Sequence, residues 1–561
     1  MKKNQYLLFT ALLIPLTAGL CYWCMRQLYG GIIPEDIEYR KICLLASVLT
    51  WLFTVSEWKE DPESWSRKGK FDHPKPPEKL LKKKPQGIVL GRYQNRYVCD
   101  MGRPAHVLVL GQSGAGKSVL LLSTLLANTG MVEINDDRRN PEKMSHRSLF
   151  VLDLKGELSY KSIRYSDENG CIVSISDRSL MGYDMLYKLH RSGKPSTQEI
   201  ITTMNQIIIY LVPKSPNDKQ PYFVDAARNL GNGLAIAYVQ EAVAKGRCPE
   251  MIDIIDHILG EPVEQQIQHV LETARPTSAE YKYLNQFSGM IAETGNATLG
   301  SVYSSLCNGL TVFANDRDLR YMLRVNPRRV TPDILYKEQR SVFLTLDESK
   351  LEQYSPLTRI ILAQMLDAAM ELPDSSKDNG QGCLFVLDEI SRVLNGSADM
   401  AKLLTSSIKT LRSKGVILYI INQTISAFEE SIGSKAGVDD LVSNCEYTVI
   451  LSAKDRATAQ WIEKLGGQFL QRHMSSTGSY AARKYTTSYQ LQALYTADEL
   501  LRLQSEEKEL LISPYGIYQL QRAAYYEDKE LNALSEEIQG SNEDWEKLMR
   551  KREIVLHNMC G

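Results

Sequence analysis

The sequence predicts an α/β fold, a parallel sheet covered by helices, with an all-helical insertion and two apolar runs ahead of it. Three observations carry this. From His106 onward, short apolar β-rich runs alternate with helical stretches. Between about Lys188 and Asn326 that rhythm gives way to helical periodicity. Near the N-terminus, residues 6–25 contain no charge.

The uncharged run YLLFTALLIPLTAGLCYWCM matches the roughly 20 residues that span a bilayer. A cleaved signal peptide is the rival reading, since Lys2 and Lys3 precede it, but no clean small-x-small cleavage site follows. A lipoprotein site fails because Leu20 precedes Cys21. The second run, Ile42 to Val55, reads as a short span or as a buried soluble helix. Lys59, Arg67, Lys68, Lys70, Lys75, Lys79, Lys82, Lys83 and Lys84 follow, as the positive-inside rule expects of a cytosolic juxtamembrane segment. The expectation is a two-helix transmembrane hairpin over 1–58 with both ends inside and the main body in the cytoplasm, then a basic linker over 59–86.

The strands expected in the body are His106 to Leu110, Leu149 to Asp153, Ile172 to Ile175, Val342 to Leu346, Leu384 to Asp388, Val416 to Asn422 and Tyr447 to Leu451. Uniformly apolar strands belong to a parallel sheet buried on both faces. Stretches such as IITTMNQIIIYLV and EQQIQHVLETA mark residues 190–325 as the helical insertion between 87–189 and 326–532. Residues 533–561 read as a peripheral helical tail.

The chain has 561 residues, 43% hydrophobic composition and a formal charge of −1, so a large core is available and any polyanion contact must be local. Its ten cysteines show no metal-ligand spacing. A reduced cytosolic body follows more simply than a disulfide framework.

Residues 111–118, GQSGAGKS, complete the pattern Gly-x-x-x-x-Gly-Lys-Ser/Thr between the strand HVLVL and the helix SVLLLSTLLAN. At ordinary amino-acid usage about 0.02 such matches arise by chance in this length. The loop Gly111, Gln112, Ser113, Gly114, Ala115, Gly116 wraps phosphate with its amides, Lys117 neutralises β and γ phosphates, and Ser118 ligates magnesium. ATP with Mg2+ is therefore the expected cofactor.

In CLFVLDEIS the apolar run sets Asp388 at the tip of a strand, suited to the magnesium shell, and Glu389 beside it, suited to activating water. Gln423 ends VILYIINQ at the same edge, as a phosphate sensor or an ordinary strand-end amide. Arg412 precedes that strand, as an arginine finger for a neighbouring subunit or a solvated helix-end residue. Asp153 ends SLFVLD at the nucleotide edge and is counted with the cofactor-binding residues, while Lys155, Gly156 and Glu157 make the following turn. The residues alone do not separate turn from site there.

GQSGAGKS, FVLDLKGEL, FVLDEIS and INQ behind a membrane hairpin together resemble the VirD4/TraG family of type IV secretion coupling proteins. The Asp-x-Lys-Gly-Glu stretch at 153–157 is the most family-specific of these signals. NATLGSVYSSLCNGLTVFAND, DRATAQWIEKLGG, YTADELLRL and AAYYEDKEL extend the likeness from about Gly87 to Asn532. Leu154 stands where many members have Pro, and Ser118 where many have Gly.

The resemblance implies a RecA-like P-loop NTPase domain with a helical insertion, forming a homo-hexamer around a pore at the inner membrane. It implies nucleotide binding by the phosphate loop, hydrolysis through Asp388 and Glu389, and sensing by Gln423. The implied partners are single-stranded DNA, a relaxase with its relaxosome, and type IV secretion channel components. A nucleotide-switched cargo receptor and an FtsK/HerA-like DNA pump are the competing functions. No strong basic-aromatic track is present, Arg483 and Lys484 being weak candidates.

Overall fold

In the computed structural model the described residues are 75–100, 105–134, 148–166, 170–174, 180–216, 218–219, 221–292, 297–326, 328–374, 383–477 and 484–560, with isolated positions 19, 23, 45, 47 and 48. Apart from those isolated positions, the expected membrane hairpin lies outside them, as does Arg483. Among the described residues no helix is long and apolar enough to cross a membrane.

Residues 73–466 and 495–561 form one compact unit. At its centre is a twelve-stranded sheet. Its strands in chain order are β1 (Leu81–Lys82), β2 (Ile88–Tyr93), β3 (Arg96–Asp100), β4 (His106–Leu110), β5 (Ser148–Asp153) and β6 (Gly170–Ser174). The pair β7 (Gly182–Tyr183) and β8 (Arg329–Val330) stands outside it. Then come β9 (Ser341–Thr345), β10 (Cys383–Leu387), β11 (Ile417–Asn422) and β12 (Cys445–Ile450), a separate hairpin β13 (Gln468–Thr477) and β14 (Lys484–Ala493), and finally β15 (Lys508–Ser513) and β16 (Gly516–Gln521).

The order is β1-β3-β2-β16-β15-β12-β4-β11-β10-β5-β9-β6. From β12 to β6 every pairing is parallel. From β12 out to β1 every pairing is antiparallel. The seven strands of the parallel half are the seven expected from sequence. Sequence reading found none of the antiparallel extension, and the sheet begins at Leu81, inside the stretch expected to be linker.

Alternation along each strand feeds two cores. Leu108, Leu110, Phe150 and Leu152 face a core that continues without break into helices of the insertion. Val107, Val109, Leu149 and Val151 face the helix Lys117–Ile134 and Leu531 and Ile538 of the tail. The regular elements among the described residues between 197 and 325 are all helical, from Thr197–Leu211 through Ala297–Asn315 to a π turn at Tyr321–Val325.

Two contacts staple the ends of the insertion. The His190 ring meets the Asp184 carboxylate at 2.7 Å, and Arg329 meets Glu250 at 2.5 Å.

The tail helix Lys529–Cys560 docks more firmly than a peripheral element would. Asn542, wholly buried, donates to the carbonyls of Tyr160 and Ile163 at 2.9 and 3.0 Å and accepts from the Tyr165 amide at 2.8 Å. It thereby caps the helix Glu157–Ser162 that follows the Asp-x-Lys-Gly-Glu turn. In the separate hairpin unit, Lys484 pairs across from Thr477, while Tyr489 and Leu491 share one exposed face.

Candidate functional site

Parallel strands place their C-terminal tips at one edge, where open α/β sheets bind ligands. β4 ends at Leu110 and turns directly into the phosphate loop, whose last loop residue, Gly116, precedes the helix Lys117–Ile134. Gly114 and Gly116 have φ of 74° and 85°, a backbone region that favours glycine. Lys117 Nζ donates to the Gly111 carbonyl at 2.8 Å, curling back over its own loop. Burial lowers its pKa, while the charges of Glu389 and Asp388 work the other way. Ser118 occupies the helix's second position.

β10 brings Asp388 and Glu389 to the same edge, two strands away. Asp388 Oδ1 is buried without a hydrogen-bond donor among the described residues. Burial first, then the neighbouring Glu389 charge, pushes its carboxyl up to about 6. An orphaned carboxylate oxygen facing a lysine and a Ser-bearing helix N-terminus fits a divalent cation.

Glu389 is 6% exposed and holds a left-handed backbone at φ 48°. That conformation costs a non-glycine residue about 1–3 kcal/mol and persists where its surroundings over-determine it. Here they do. Gln423 Nε2 donates to Glu389 Oε1 at 3.2 Å, Arg392 Nε reaches Oε2 at 2.8 Å, and Lys155 Nζ lies 3.8 Å from Oε1. Buried Arg359 donates to the carbonyls of Val393 and Asn395 at 2.8 and 2.6 Å, fixing the far end of the helix that Glu389 begins.

The segment around Gln423 is anchored from several sides. The Asn422 carbonyl accepts from the Gly111 amide at 3.2 Å, and Ser391 Oγ donates to Asn422 Oδ1 at 2.8 Å. Thr458 Oγ1 accepts from the Ile425 amide at 3.0 Å, and the Asp455 carboxylate accepts from the Thr458 amide at 2.9 Å. The Asp-x-x-Thr-Ala stretch thus holds the backbone just beyond Gln423.

Asp153 is buried at the β5 tip, and its carboxylate accepts from the Ser159 amide at 2.7 Å. Burial raises its pKa and hydrogen bonds from its own turn oppose that. Within this turn Asp153 binds its own backbone at the nucleotide edge, and Lys155 reaches Glu389.

Arg412 does not join this constellation. It precedes β11, at the opposite edge of the sheet from the strand tips, half exposed, with Nη2 2.9 Å from Glu446 at the start of β12. A six-residue strand separates the edges by about 20 Å.

The other side of the loop holds residues that sequence reading missed. Ser452 Oγ accepts from the Gln112 amide at 3.0 Å, and Gln504 Nε2 donates to the Gly114 carbonyl at 3.0 Å. Arg522 lies against Gly116, its Cδ 2.8 Å from where a Cβ would stand.

The family described as Type IV secretory system Conjugative DNA transfer matches residues 68–546. The chain belongs to it. Within this family's range lie all the strands above and the whole constellation around the phosphate loop. A probable conjugal transfer protein TraG of Sinorhizobium fredii (strain NBRC 101917 / NGR234) is 23% identical over 221 residues, 38% of this chain and 33% of that protein. The match therefore spans about a third of that relative's length.

Among solved structures, the unbound bacterial conjugative coupling protein TrwBdeltaN70 aligns over 79% of this chain and 89% of its own, at 15% identity and a TM-score of 0.56. TrwB in complex with the non-hydrolysable ATP analogue ADPNP aligns over 80% and 91%, at 14% identity and 0.55. TrwB in complex with ADP and Mg2+ aligns over 80% and 90%, at 13% identity and 0.54. The shared fold is the RecA-like P-loop NTPase, with a large mixed sheet flanked by helices.

Proposed function

We propose that this family member is a membrane-anchored coupling ATPase that recruits a relaxase–DNA complex and drives single-stranded DNA to a type IV secretion channel. One observation carries the catalytic part. At one sheet edge, the phosphate loop faces an orphaned Asp388 oxygen and a Glu389 held by Gln423.

In this reading Gly111 to Gly116 cradle the phosphates of ATP, Lys117 leaves the Gly111 carbonyl for them, and Ser118 and Asp388 hold Mg2+. When bound, the cation neutralises charge on the transferred phosphate. Glu389 takes the proton of the attacking water, its carboxylate aimed by Arg392 and Gln423. Gln423 links that carboxylate to the β11 tip, so loss of the γ phosphate is felt along the segment anchored by Thr458. The TrwB complexes with an ATP analogue and with ADP and Mg2+ support the choice of nucleotide and cation.

The subunits act as a homo-hexamer, in which exposed Arg412 serves a neighbour's nucleotide rather than its own. The apolar runs of 1–58 form the inner-membrane hairpin, and the helices of 190–325, as an inserted domain, meet the cargo.

The test is steady-state ATP hydrolysis by the full chain in detergent, with and without single-stranded DNA, at two salt concentrations. DNA-stimulated turnover that weakens with salt supports a motor contacting phosphate backbones. Nucleotide binding without turnover, even with DNA and relaxase present, replaces the motor with a nucleotide-switched receptor.

A further inference from the structure

The phosphate loop stands between two flanks of the sheet. On one side β11, β10 and β5 bring Gln423, Asp388, Glu389 and Lys155 toward the reacting phosphate. On the other, β12 and the hairpin β15–β16 bring Ser452, Gln504 and Arg522. A nucleotide whose γ phosphate faces Asp388 must lay its α phosphate, sugar and base toward the second flank.

Arg522 is built as a ligand there. Its Nε and Nη1 both stand 2.9 Å from the position of a Cβ on Gly116, so the guanidinium packs against the loop at a residue that must lack a side chain. Its Nε and Nη2 are buried and meet no acceptor among the described residues. Buried guanidinium N–H groups left unpaired are costly, and a phosphate oxygen is a fitting acceptor.

Within charge range of it lies Glu509 on β15, wholly buried, with both oxygens lacking donors among the described residues. Its Oε1 fills the space a side chain at Gly91 would need, at the bulge of β2. Burial holds this carboxyl well above the usual range, with the Arg522 charge opposing, so the guanidinium has at most a weakened internal counter-ion. The Arg522 amide donates to the Glu507 carbonyl at 3.0 Å, which fixes where the side chain starts.

We infer that Arg522 is a nucleotide-binding residue of the non-reacting flank, donating to the α-phosphate and sugar end of the nucleotide bound in the same chain. The inference rests on the ATPase reading above and adds a contact that both ATP and ADP would use. Gln504, bonded to Gly114, steadies the loop beside it.

The experiment titrates the full chain with fluorescent N-methylanthraniloyl ADP and ATP in Mg2+, for wild type, R522A, R522K and E389Q, with hydrolysis and thermal melting measured in parallel. R522A is expected to weaken both nucleotides alike by about tenfold and to raise KM by the same factor, with kcat within about threefold. R522K should recover part of the loss, since charge returns without the fork. If R522A does not fold, R522Q carries the same expectation.

Unchanged ADP affinity in a folded R522A overturns the inference. So does a loss confined to ATP or to kcat, which would put Arg522 on the reacting side. If E389Q hydrolyses normally while R522A weakens ADP, the catalytic reading falls and this one stands. Absence of nucleotide binding in wild type overturns both.

Discussion

The two halves of the sheet contrast in construction. The parallel half is buried at nearly every position, as in HVLVL, SLFVLD, CLFVL and ILYIIN, and it supplies Lys117, Asp388, Glu389 and Gln423. The antiparallel half mixes buried and accessible positions, as in GIYQLQ, and it leads the chain to Arg522. Hydrolysis depends on groups set to a fraction of an ångström, and they sit on the half with the least freedom to move. The antiparallel half contributes grip on the part of the nucleotide that does not react.

Substitutions on either side sharpen or break this contrast. The largest expected effect is Glu389→Gln. It should cut kcat by about 10²–10⁴-fold while leaving nucleotide affinity near wild type. A comparable kcat loss in R522A would erase the distinction between the flanks.

Lys117→Ala comes next, expected to lower kcat/KM by about 10²-fold, because it removes the cation over the phosphates and the bond closing the loop onto Gly111. Titration with ADP separates its binding component from its catalytic one. Near-normal kcat/KM would show that the phosphates are held chiefly by other groups.

Asn542→Ala tests whether the tail belongs to the catalytic half mechanically. Three backbone groups, one buried and two partly buried, lose their partner. The expected cost is about 1–3 kcal/mol, read as a melting point lower by a few degrees, with kcat changed less than about twofold. An unchanged melting point would mean that the tail is held by its apolar face alone.

The smallest effect concerns Asp367, which accepts from the Gln206 amide between the helices Leu351–Met370 and Thr197–Leu211. Burial, aided by Glu371 and opposed by Lys188, raises its carboxyl from 3.8 to about 6. A raised carboxyl binds its proton more tightly in the folded state. The stability it contributes is complete below the unfolded value and is lost as pH rises through about 6. Asp367→Asn should therefore stabilise the fold at pH 8 by about 1–2 kcal/mol after screening, read as a higher melting point, and change it little at pH 4. A gain of equal size at both pH values would rule out this titration as the cause.

Much of the site was legible because its residues lie in contiguous motifs. GQSGAGKS announces a phosphate loop by its glycines, and four apolar residues ahead of Asp388 and Glu389 announce a buried strand with a polar tip. Gln423 was legible for the same reason. The turn at Asp153 was not, because its carboxylate serves its own backbone while Lys155, two residues on, reaches across to Glu389.

Ser452, Gln504 and Arg522 carry no local signal at all. Gln504 lies 390 positions from the Gly114 carbonyl it contacts, and Ser452 340 from Gln112. By itself, then, the sequence determined the parallel core, the phosphate loop and the acidic pair, because strand burial and loop sterics act on neighbours along the chain. The second flank and the docking of the tail on the Glu157–Ser162 helix were decided only by tertiary structure. Those depend on which strand pairs with which, and pairing is a contact between residues that the chain order keeps apart.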